Sequence, residues 1–134
     1  MPDVTYGKTV TIQGASFDQA LQRTTEALAS EGFGVLTEID VKATLEKKLG
    51  VDFRPYRILG ACNPPLAFRA LTAEPMIGLL LPCNVVVTER EDGLVAVSAV
   101  SPMSMFSVVD NPDLAGLADE VSVKLDRVLA KVAG

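Results

Sequence analysis

Two apolar runs, Cys83 to Arg90 and Leu94 to Val100, face each other across an Asp92-Gly93 step. Asp-Gly between β-branched runs is the strongest short-range signal for a hairpin. Neither run alternates. Val85, Val86 and Val87 are consecutive, and Val95, Val97 and Ala99 are joined by further small residues. Strands that are apolar on both faces need cover on both faces, so this hairpin belongs in the middle of a sheet. Helices are expected on one side and a second subunit on the other.

The rest of the chain supplies the cover. Val4 to Ile12 alternates and is β-branched, which predicts a strand. Ser16 and Gln19 form a capping box, and Phe17, Ala20, Leu21, Thr24, Ala27 and Leu28 follow at helical spacing up to Gly32. Phe33 to Asp40 predicts a second strand, with Val35 and Ile39 on one face and Leu36, Glu38 and Asp40 on the other. Val41, Leu45 and Leu49 mark a short helix closed by Gly50, and Tyr56 to Cys62 a third strand. Asn63-Pro64-Pro65 opens a helix that Pro75 stops, and Asn111-Pro112-Asp113 opens a long helix striped by Leu114, Leu117, Val121, Leu125, Val128, Leu129 and Val132. The reading is an α+β fold over residues 1–134 as a single domain. About five mostly antiparallel strands form one sheet, with two long helices and short extra ones.

Composition narrows the function more than the fold. A net charge of −5 argues against nucleic-acid and anionic-membrane surfaces, which draw on Lys and Arg clusters. Lys42, Lys47 and Lys48 make the one local basic cluster and read as a solvated helix face. The longest apolar run, Met76 to Val87, is broken by Gly78, Pro82 and Asn84 and is too short to span a bilayer. The first residues carry no export pattern, so a cytoplasmic location is expected, with Cys62 and Cys83 as thiols. There is no histidine, which removes the commonest general base, the Ser-His-Asp and Cys-His arrangements and imidazole metal ligands.

Two segments echo each other: Cys62-Asn63-Pro64 at a strand-to-helix junction and Pro82-Cys83-Asn84 entering a strand. If both strands share a sheet, the thiols come close. A thiol beside a helix N-terminus gains from unpaired N–H groups that favour the thiolate. Against this stands a plainer reading, in which the cysteines are small buried hydrophobes and Asn63 is a helix cap. Two cysteines without histidine do not complete a zinc shell, so no metal and no cofactor are expected. Glu38 and Asp40, two apart on one strand face, form a candidate acid–base pair, or else a solvated or lysine-paired one. Gly60 and Gly78 are places where a ligand could approach the backbone closely. Met76, Met103, Met105 and Phe106 read as core filling or a subunit contact, and less readily as a ligand-cavity lining.

The runs Gly32 to Asp40, Leu59 to Pro64 and Ile77 to Asn84, with the two Cys-Asn segments in order, resemble the prokaryotic domain-of-unknown-function family 302. That resemblance implies a β-α-β(4)-α fold of the TATA-binding-protein-like class and homodimers; the acidic charge argues against reading DNA binding into the fold name. The family's motif positions fall on Glu38, Asp40, Lys48, Cys62, Asn63, Pro64, Pro82, Cys83 and Asn84. Two readings of function follow. One is a homodimeric binding module for a small molecule or ion, its pocket lined by Cys62, Asn63, Cys83 and Asn84, with Glu38, Asp40 and Lys48 at the rim. The other is a thiol-dependent redox or sulfur-transfer enzyme using Cys62 and Cys83. A third reading gives these residues only a structural task.

Overall fold

The computed structural model describes residues 4–134. Five strands form one antiparallel sheet in the order β1-β5-β4-β3-β2. They are β1 (Gly7–Ile12), β2 (Gly34–Asp40), β3 (Tyr56–Cys62), β4 (Cys83–Glu89) and β5 (Val95–Val100). The hairpin strands β4 and β5 lie inside the sheet, as their apolar character demands. The long helices are α1 (Phe17–Ser30) and α5 (Ala115–Ala133); α2 (Val41–Leu49), α3 (Pro64–Ala73) and α4 (Pro102–Phe106) are shorter. Short 3-10 segments cover Pro75–Leu80 and Pro112–Leu114.

Local chemistry sets the helix ends. The Ser16 hydroxyl accepts from the Gln19 N–H at 3.1 Å while Gln19 accepts from the Ser16 N–H at 2.9 Å, closing the capping box. The Asp40 carboxylate caps α2 through the Ala43 N–H at 2.9 Å. The Asn111 side chain caps the 3-10 turn rather than the long helix, accepting from the Asp113 N–H at 3.0 Å, and α5 proper starts at Ala115.

Pairing partners share a sheet face. Val97 pairs with Val10 and Val87, and Leu59 pairs with Val85 and Glu38, so these residues define one face. Val85, Val87, Val97 and Leu59 are almost fully buried there, in one core with Leu28 of α1 and Leu125, Val128, Leu129 and Val132 of α5. The opposite face carries Thr9, Ser98, Val86, Ile58, Ile39 and Asn84. At its centre Ile58, Val86 and Ser98 are only half-buried.

The expected facing of β2 is overturned by a bulge. Val35 pairs with Ala61 and Thr37 with Gly60, leaving Leu36 as an extra residue between them. One inserted residue reverses the alternation. Val35 therefore shares the helix-side face with Glu38 and Asp40, while Ile39 lies on the other. Leu36, freed from the ladder, is 68 % exposed.

Candidate functional site

The two Cys-Asn segments meet at one end of the sheet. Antiparallel pairing places Ala61 opposite Cys83 and Gly60 opposite Asn84. Cys62 and Cys83 thus stand one register step apart on neighbouring strands, both as free thiols. Both line a cavity of about 310 Å³ between this end of the sheet, α3, the Pro75–Leu80 turn and α5. Phe33, Ala61 and Cys83 come from the sheet side. Leu66, Ala67, Ala70 and Leu71 come from α3, and Leu117 and Val121 from α5. Leu36, displaced by the bulge, and Phe106 also face it. No charged side chain among the described residues lines it.

Asn63 is held by two bonds. Its Oδ1 accepts from the Leu66 N–H at 3.4 Å as the cap of α3, and its Nδ2 donates to the Glu31 carbonyl at 3.3 Å. The second bond ties α3 to the loop after α1, where Gly32 takes φ +85°; a Cβ there would lie 2.9 Å from Asn63 Nδ2. Glu31 anchors the same corner from the other side, bonding Arg127 at 2.8 Å and Lys131 at 2.9 Å. The Lys131 and Arg127 hydrogen bonds hold its carboxyl below the usual value of 4.5.

The thiol of Cys83 is pushed from 9.0 up to about 11, first by burial and then by the neighbouring Cys62 charge. This is opposite to the shift a nucleophilic thiol needs, and it keeps the Cys83 thiol neutral.

The remaining candidates lie apart from the cavity. Asn84 follows Cys83 on the strand and so emerges on the opposite face, exposed. Glu38 and Asp40 do not stand as a free carboxylate pair: Arg57, their neighbour on β3, bonds Glu38 at 3.3 Å and Asp40 at 3.1 Å. Lys48 lies exposed in the last turn of α2 and joins no ion pair among the described residues. Lys42 of the same helix pairs instead with Asp52 at 2.8 Å. Gly60 is crowded by its own chain, because a Cβ there would collide with Thr37 Oγ1 and lie 2.7 Å from Pro82 Cγ. Gly78 does line the cavity. Of the four residues read as core filling or a subunit contact, Phe106 is buried against the cavity and Met105 packs on the core. Met76 and Met103 are exposed.

Among the described residues no group of three or more Cys, Asp or Glu is placed to hold a metal ion, and no helix is long and apolar enough to cross a membrane. No curated protein matches the chain. Among solved structures, the crystal structure of an uncharacterized conserved DUF302 protein from Bacillus stearothermophilus superposes with a TM-score of 0.88 at 30% identity. The match covers 96% of this chain and 99% of that one. The model of the family described as domain of unknown function DUF302 matches residues 8–132, and the chain belongs to that family.

Proposed function

We propose that this protein is a binding module for a small, largely apolar molecule held in the cavity at the Cys62–Cys83 end of the sheet. The cavity carries the reading: a concave space of about 310 Å³, walled almost wholly by apolar side chains with Asn63, Cys62 and Cys83 among them, is the usual form of a small-molecule site. Binding fits these groups better than catalysis does. The Cys83 thiol is stabilised in its protonated form, Glu38 and Asp40 are committed to Arg57, and the chain has no histidine. An ion as ligand fits poorly, because an uncharged apolar wall does not repay its desolvation.

Ala67 is half-exposed on the cavity side of α3, so Ala67→Trp blocks the space with little change to the core. Native mass spectrometry of protein purified without organic wash is expected to show extra mass on the wild type that Ala67→Trp lacks. Equal retention by both proteins, or a wild type that takes up no apolar probe, sinks the proposal.

The partner we propose is a second copy of the chain, in a reducing cytoplasmic setting that keeps both cysteines as thiols. Support comes from the half-buried Ile58, Val86 and Ser98 at the centre of the sheet face opposite the core. Val86→Glu is expected to shift sedimentation from dimer to monomer. An unchanged sedimentation coefficient counts against this face.

A further inference from the structure

We infer that the cavity selects a neutral molecule of about ten to twelve heavy atoms, with one carbonyl, amide or hydroxyl group placed at Asn63 and Cys62. The inference rests on the binding reading above and adds the chemical class of the ligand.

Size comes from volume. The cavity is about 310 Å³, roughly twice the ~150 Å³ apolar cavity that accommodates a six-carbon ring. An occupant of about twelve heavy atoms is the corresponding upper size.

Charge comes from the wall. Its polar side chains are Asn63, Cys62 and Cys83, and it offers neither a cation for a carboxylate nor an anion for an ammonium. The buried Cys83 stays protonated at neutral pH, so its thiol contributes no charge either. The chain as a whole, at −5, repels anions further. A fatty-acid carboxylate would enter without a partner for its charge, a cost that a neutral head group avoids.

The polar end comes from unused hydrogen-bonding capacity. An asparagine amide has two N–H donors and an oxygen with two lone pairs. Asn63 uses one donor on the Glu31 carbonyl and one acceptor position on the Leu66 N–H, which leaves one of each. A primary amide or an alcohol can use both; a ketone, which only accepts, can use one. A hydrocarbon uses neither, and gains only from apolar contact with Leu66, Leu117 and Val121.

Three probes of nearly equal size separate these terms by titration calorimetry at pH 8: butylbenzene, octanamide and octanoate. The expected order is octanamide tightest, butylbenzene intermediate, and octanoate weaker than octanamide by at least ~100-fold, since its charge is desolvated unpaired. Asn63→Asp keeps a capping side chain but removes the amide N–H, and is expected to weaken octanamide at least ~10-fold while sparing butylbenzene. Octanoate within tenfold of octanamide, or octanamide unaffected by Asn63→Asp, overturns the inference and leaves the cavity reading standing. No binding of butylbenzene and none of octanamide overturns the cavity reading itself.

Discussion

Titrating the buried thiol of Cys83 should cost stability over a defined alkaline window. The folded-state value is about 11 against an ordinary 9.0, raised by burial and then by the charge of Cys62. Below pH 9 both the folded and unfolded chains hold the proton, so Cys83 adds no pH dependence. Between pH 9 and 11 the unfolded chain loses its proton while the folded chain keeps it, and the unfolded state gains. A one-unit shift is worth about 1.4 kcal/mol, so the window as a whole removes on the order of 3 kcal/mol. Other groups titrate in the same range, so the informative quantity is the difference between wild type and Cys83→Ala. Urea unfolding at pH 8.0, 9.5 and 10.5 supplies it. At pH 8 the variant should be less stable by ~1 kcal/mol, from lost packing of a side chain that is 7 % exposed. By pH 10.5 the variant should match or exceed the wild type. A difference that stays constant across the three pH values would refute the argument, because the thiol would then titrate alike in both states.

Two further outcomes test the corner and the strand that frame the cavity. Glu31→Gln should destabilise the protein at neutral pH and lose that effect on acidification. The Glu31 carboxyl is held below 4.5, first by the Lys131 and then by the Arg127 hydrogen bond, so its contribution is present above pH 4.5 and lost as pH falls through the folded value. Parallel unfolding curves for the two proteins from pH 7 to pH 3 would contradict this. Gly60→Ala should cost about 1–3 kcal/mol by overpacking against Thr37 and the Pro82 ring. Adding Thr37→Ala should recover part of the loss in a double-mutant cycle, and strict additivity would show that the collision is not the cause.

What could be read from the residues was local. The Ser16–Gln19 capping box, the Asp92-Gly93 hairpin and the Asn63-Pro64 helix start each depend on a few adjacent residues, and each stands where its chemistry put it. The stripe of α5 was equally plain, because Leu117, Val121, Leu125, Val128, Leu129 and Val132 recur at helical spacing and all are buried. Long-range consequences were harder to read. Nothing in Val35-Leu36-Thr37 announces a bulge, yet that one extra residue reverses the facing of β2 and turns Leu36 to the cavity. Arg57 lies far along the chain from Glu38 and Asp40, and only the strand register brings it between them. Cys83 and Asn84 are sequence neighbours and read as one motif, but strand alternation sends them to opposite faces. The cavity itself is written in no single segment. Phe33, Leu66, Phe106 and Leu117 all look like ordinary core residues until the fold leaves a space between them.

Methyl NMR of the wild-type protein titrated with octanamide shows whether this space is a site. Saturable shifts are expected, at one equivalent per chain, confined to the methyl groups of Leu66, Leu71, Leu81, Leu117 and Val121 around the cavity. The alternative is a response at the exposed methyl groups of Met76 and Leu79, or shifts that grow without saturating. Either of those results would mean that the apolar surface attracts the probe while the cavity does not bind it, and that the cavity is not a site.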